Sequence, residues 1–178
     1  MVVLVIMGVC GSGKTTVAQA LAKKLHCTFR DADEFHSDEN KQKMSHGVAL
    51  TDEDRVPWLL AIHNYISSLL QVGDTGVVTC SSLKHTYRNI LVTGETSQGA
   101  LPSQSIMQSN VLFVNLKGSA ELIKERLKQR TGHFMPATLL QSQLDTMEEP
   151  DDTEHHITMD IEHSVEDMVD QIVEYISL

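Results

Sequence analysis

Apolar side chains fall along this chain in two different rhythms. At residues 2–7 (VVLVIM), 76–80 (GVVTC) and 111–116 (VLFVNL) they run almost without interruption and are rich in β-branched residues. Such runs leave no polar face, so they predict strands covered on both sides, as in a parallel sheet between helices. Shorter runs at 28–30 and 157–160 predict two further strands. Between the strands the spacing changes. Val17, Leu21 and Leu25 recur every fourth residue, and Leu59, Ile62, Ile66 and Leu69 follow three- and four-residue steps, the period of a helix with one apolar side. Alternating strand and helix patterns predict an α/β domain of three layers, a parallel five-stranded sheet flanked by helices.

The last helix is the plainest. Val165, Met168, Val169, Ile172, Val173 and Ile176 share one face, and Ser164 to Asp167 (SVED) supplies a cap at its start. Residues 93–110 instead mix Gly, Ser, Thr, Gln and Pro with no apolar period, which reads as a surface insertion. With 178 residues, 41% of them hydrophobic, the chain suits one domain spanning 1–178.

Charge narrows the partners. Fourteen basic against twenty-four acidic side chains give a net charge of −10, which speaks against a broad nucleic-acid or anionic-membrane surface. Any bound phosphate must therefore be held locally. Cys10, Cys27 and Cys80 lie far apart without metal-ligand spacing, which suggests a reduced, cytoplasmic setting. The apolar opening lacks a charged start and is shorter than the roughly 20 residues that span a bilayer.

The local phosphate holder follows the first strand. Residues 8–15 (GVCGSGKT) fit G-x-x-x-x-G-K-[ST] between a strand and a helix. Gly8, Gly11 and Gly13 let the backbone of Val9, Cys10, Ser12 and their neighbours turn its N–H groups inward, and the helix entered through Lys14, Thr15 and Thr16 adds its positive end. Lys14 is placed to reach the outer phosphates, and the Thr15 hydroxyl suits Mg²⁺. A glycine-rich turn with an exposed lysine is the bland alternative. ATP is favoured over GTP, because Asn40-Lys41 lacks the following aspartate of guanine readers.

After the second strand comes FRDADEFH, residues 29–36. Its acids emerge on the same sheet edge as the phosphate loop. If strand alternation continues, Asp31 and Asp33 project to one side, Asp31 approaching Mg²⁺ through water and Asp33 taking the proton of an acceptor hydroxyl. Either is equally placed to cap the next helix.

Five segments in order, MGVCGSGKTT, DADEFHSDENKQKMSHGVALTDEDRVPWL, CSSLKHTYR, RLKQRTGHFMP and LLQSQLDTMEEP, resemble the signature segments of the gluconokinase family. The resemblance covers nearly the whole chain and implies a P-loop NTPase fold of the nucleotide- and shikimate-kinase type. It also implies ATP and Mg²⁺ as cofactors, D-gluconate phosphorylated at its 6-hydroxyl, and a homodimer. Arg55 and Arg88 fall in segments that line the sugar-acid pocket in that family, Lys84 follows the third strand at the same sheet edge and is expected at the substrate with them, and residues 147–150 fall where the family's adenine-side loop is expected. Cys10, Ser82 and His85 depart from the family's commoner serine, alanine and lysine.

Arg126 and Arg130 are four apart on one helix face and end at Thr131-Gly132, an arrangement similar to the lid of nucleotide-kinase-like folds, here at about 126–137. Closure would bring Arg130 and Arg126 onto the nucleotide phosphates and carry His133 toward the substrate. The alternatives are a kinase for another acceptor, such as shikimate, and a regulatory module that binds ATP without transferring it.

Overall fold

A computed structural model describes residues 1–96, 109–130 and 137–177. The five strands are β1 (Val3–Met7), β2 (Thr28–Asp31), β3 (Gly76–Thr79), β4 (Val111–Lys117) and β5 (His156–Asp160). They form one parallel sheet in the order β2-β3-β1-β4-β5. The helices are α1 (Lys14–Leu25), α2 (Asp38–Ser45), α3 (Asp52–Val72), α4 (His85–Thr93), α5 (Ala120–Gln129), α6 (Ala137–Thr146) and α7 (Val165–Ile176).

The uninterrupted apolar runs are explained by helices on both faces. Leu4, Ile6, Leu112 and Val114 pack with α1 and α7 on one side, while Val3, Val5, Val78 and Phe113 pack with α3 and α4 on the other. All five residues of β1 are buried as a result. Among the described residues no helix is long and apolar enough to cross a membrane.

Strand order fixes where a ligand goes. β1 is central, and the chain leaves it to build β2 and β3 on one side and β4 and β5 on the other, so the crevice opens at its carboxyl end. The loop after Met7 lies there. Four other helix starts are sealed by a side chain: Ser37, Thr51, Ser119 and Ser164 each accept a backbone N–H from the first turn of α2, α3, α5 and α7. The Glu148 carboxylate does the same for α4, accepting the His85 N–H at 2.7 Å. α1 has no side-chain cap and no acid in its first turn, so its N-terminal N–H groups remain open to an anion.

Most of the region expected as an insertion, 93–110, lies outside the described residues. Thr93 is the last residue of α4, and residues 97–108 lie outside the described part. So do residues 131–136 of the expected lid, including Thr131, Gly132 and His133.

Candidate active site

The loop from Gly8 to Gly13 is shaped by what it must pass. A Cβ on Gly8 would stand 2.8 Å from Ser12 Oγ and 2.9 Å from the Leu116 carbonyl oxygen, and its φ of 140° is one that side chains resist. Gly11, at φ 82°, would meet Leu127 at 2.7 Å. The lysine is folded back onto this loop, with Lys14 Nζ donating to the carbonyls of Gly8 and Val9 at 3.1 Å each. Burial pushes its ammonium down from the usual value, while Cys10, Cys80, Asp31 and Asp33 pull the other way. A group so held gains most from a bound polyanion.

Two hollows flank the loop. One, of about 370 Å³, is lined by Cys10, Lys14, Thr15, Asp31, Asp33 and Arg55, with Trp58 and Gln143 in its wall. The other, of about 360 Å³, is lined by Ser12, Thr16, Arg126, His163 and Ser164. Gly11, Gly13 and Arg130 border both. Arg130 closes the C-terminus of α5, is exposed, and makes no ion pair among the described residues. It therefore stands at the junction of the two hollows.

Of the two acids, Asp31 is the one that caps the following turn. β2 stops at Asp31 and the chain turns at once into a 3₁₀ helix, Ala32–Phe35, so strand alternation does not reach Asp33. Asp31 caps that turn: its carboxylate accepts the Asp33 N–H at 2.9 Å, and Glu34 returns the contact by accepting the Asp31 N–H at 3.0 Å. That N–H, helped by Arg30, holds the Glu34 carboxyl below its ordinary range. Asp33 is left with an exposed carboxylate that no described side chain bonds, facing the same hollow as Lys14.

His36 anchors this turn rather than acting in it. It is buried, stacks on Trp58 at 4.3 Å between ring centroids, and lies beside Asn40, whose amide donates to the Asp54 carbonyl of α3 at 2.9 Å. Trp58 in turn donates from its indole to the Ala32 carbonyl at 2.7 Å. Burial pushes the His36 imidazole down, aided by Arg55 and Lys41 and opposed by Asp33. The folded protein thus binds fewer protons at this site than the unfolded chain. Its stability is complete above the unfolded value of about 6.5 and declines as pH falls through the lower folded value. Melting temperature is expected to drop on acidification below pH about 6.5, with a shallower drop in His36→Gln. Equal slopes in the two proteins would show that another group sets the decline.

The three basic residues expected at the substrate are not gathered together. Arg55, half-buried on α3, borders the hollow with Asp33, lies 5.8 Å over the Tyr87 ring and has no ion-pair partner among the described residues. Lys84 is held by the Asp52 carboxylate at 3.0 and 3.1 Å, a carboxylate that also accepts from the Tyr87 hydroxyl. Tyr87 and Lys84 together keep the Asp52 carboxyl below its usual range. Arg88 is only 1% exposed. Its Nε and Nη2 donate to Glu154 at 2.6 and 3.0 Å, and its Nη1 donates to the Ser82 carbonyl at 2.8 Å. Burial pushes the Glu154 carboxyl up, and the Arg88 fork together with His85 more than offsets it. Neither Lys84 nor Arg88 borders the hollow of Lys14 and Asp33. Arg88 lies instead on a separate cavity of about 430 Å³ with His85 and Asn89. The Asp52 carboxylate engages Lys84 and the Glu154 carboxylate engages Arg88, each at its own place outside that hollow.

Arg126 also parts from Arg130, donating from Nη2 to the Ile161 carbonyl at 2.5 Å and bordering only the hollow of Ser12. Residues 147–150 border neither hollow. Glu148 donates its N–H to the Leu83 carbonyl at 2.7 Å, and Glu149 accepts from Asn115 at 2.7 Å, so the segment braces the ends of β3 and β4. The wall opposite Ser12 comes from the turn after β5. Its Ser164 was readable as a helix cap, but no local signal tied that turn to the phosphate loop. Gln143 was missed for the same reason.

The central loop and the parallel sheet define the class, a P-loop kinase, and a family model described as "Shikimate kinase" matches residues 10–177. The relatives are more particular. A probable gluconokinase of Xenopus tropicalis is 46% identical over 172 residues, 96% of this chain and 90% of that protein. A solved sugar kinase from Janibacter is 40% identical with a TM-score of 0.84, covering 99% of this chain and 95% of its own. A solved gluconokinase from Sinorhizobium meliloti is 39% identical with a TM-score of 0.77, covering 95% and 87%. The chain belongs to the gluconokinase family.

Proposed function

We propose that this protein transfers the γ-phosphoryl group of ATP to the 6-hydroxyl of D-gluconate, giving 6-phosphogluconate and ADP. The observation that carries this reading is the pairing, in one hollow beside the phosphate loop, of an unbonded carboxylate with an uncommitted guanidinium. A sugar acid has the complementary ends: an alcohol to be deprotonated and a carboxylate to be held.

In this reading the nucleoside lies on the side of Arg126, His163 and Ser164, and its phosphates run along the loop toward Cys10 and Lys14. Asp33 orients the acceptor hydroxyl and takes its proton as the oxygen–phosphorus bond forms and the bond to ADP breaks. Lys14 and Arg130 stabilise the charge that spreads over the transferring group. The hydroxyl of Thr15 and the carboxylate of Asp31 are hard oxygen donors on this hollow and suit Mg²⁺, which would neutralise phosphate charge when bound. The finer assignments of a homodimer and a cytoplasmic setting belong to the same proposal and rest on the family resemblance and the cysteine pattern.

Arg55 is assigned the gluconate carboxylate, because its fork fits a carboxylate and no acid in the described protein occupies it. Arg55→Ala is expected to raise the KM for gluconate roughly 10- to 100-fold with a much smaller change in kcat and in melting temperature. An unchanged KM in steady-state assays would remove the assignment. The reaction itself is tested by coupled ADP release across a panel of sugar acids and shikimate. Turnover with gluconate supports the proposal; turnover with shikimate in its place, or with no acceptor, overturns it.

A further inference from the structure

α6 places one side chain against the phosphate loop itself. The carbonyl oxygen of Gln143 accepts the Cys10 N–H at 2.7 Å, a contact across 133 residues of sequence. A backbone N–H can only donate, so the amide must turn its oxygen toward the loop and its NH₂ away.

Cys10 differs from its neighbours in what it faces. Ser12 and Thr16 border only the nucleoside-side hollow, Gly11 and Gly13 border both, and Cys10 borders only the hollow of Asp33 and Arg55. A phosphate chain entering from the nucleoside side meets these residues in that order. Its last phosphate is the one that reaches Cys10. The donor that Gln143 covers is therefore a donor for the terminal phosphate, present in ATP and missing in ADP. Lys14, the other group aimed at the outer phosphates, is turned onto loop carbonyls in the same state.

We propose that Gln143 is a stand-in for the γ-phosphate: its carbonyl occupies the Cys10 N–H while that phosphate is absent, and surrenders the donor when ATP binds. The inference rests on the kinase reading above and assigns a positioning residue within it. A neutral carbonyl holds the N–H against collapse of the loop yet loses to a phosphate oxygen, since charge-assisted hydrogen bonds are about twice as strong as neutral ones. Once the phosphoryl group has moved to the acceptor, the amide reclaims the donor, and ADP does not compete with it. Gln143 thereby sets the preference between the two nucleotides.

Changing the charge at this position should act on ATP alone. In Gln143→Glu, a carboxylate grips the same N–H more firmly and also repels the incoming phosphate. In Gln143→Ala the donor is open. Gln143 is partly exposed on α6, so both variants should fold. Isothermal titration of the full chain with ADP and with a non-hydrolysable ATP analogue, both with Mg²⁺, reads the effect directly. Gln143→Glu is expected to weaken the analogue by about tenfold or more while ADP stays within about twofold. Gln143→Ala is expected to improve the analogue relative to ADP by about two- to fivefold. If both nucleotides shift by one common factor in Gln143→Glu, the side chain is only structural and the proposal fails. If the unaltered protein binds neither nucleotide, the kinase reading falls and takes this inference with it.

Discussion

Asp33→Asn is expected to lower kcat for gluconate roughly a hundred- to ten-thousandfold, the usual contribution of a positioned general base. The change is nearly isosteric and the carboxylate has no described hydrogen-bond partner to lose, so the 3₁₀ turn and its cap on Asp31 should survive. Affinity for a non-hydrolysable ATP analogue should change little, because Asp33 faces the acceptor side of the loop. The fall must therefore appear in turnover and not in nucleotide binding. Titration and steady-state kinetics on one preparation separate the two. Turnover within about tenfold of the unaltered protein would leave proton removal to another group, and the mechanism above would need a different base.

The second large effect is on stability. Arg88→Met should cost about 3 kcal/mol, because the largely enclosed Glu154 carboxylate would lose its guanidinium and keep only the His85 imidazole beside it. The Ser82 carbonyl would also lose its donor. Denaturant unfolding measures the loss. Replacing both partners, as Arg88→Met with Glu154→Leu, should recover much of it, since the remaining uncompensated charge is then gone. The folded fraction of Arg88→Met should keep a KM for gluconate within a few-fold of normal, in contrast to Arg55→Ala. A KM raised as far as in Arg55→Ala would return Arg88 to the substrate.

The contrast between these arginines marks how far the sequence could be read. Strands and helices were legible because β1, β3 and β4 are apolar almost without a break and alternate with helical periods, a combination that fits a sheet covered on both faces. The phosphate loop was legible because glycine spacing and the lysine sit next to one another in sequence. That Asp33 lies beside the loop was legible from its place just past a strand end, although the cap on Asp31 was decided by a 3₁₀ turn that alternation does not foresee. Arg55 and Arg88 look alike in sequence. Their difference comes from Glu154, 66 residues beyond Arg88, which occupies one guanidinium and leaves the other alone. Gln143 and the turn at His163 and Ser164 reach the loop only through tertiary packing, so no local spacing announces them.

Strand order carries a cost during synthesis. β1 is made first, yet its partners are β3 and β4, so its second edge stays unpaired until Val111 and the residues after it have been polymerised. Contacts that span so much sequence form slowly. Until then the growing chain carries an apolar strand with an open edge, the kind of partly folded species that aggregates most readily.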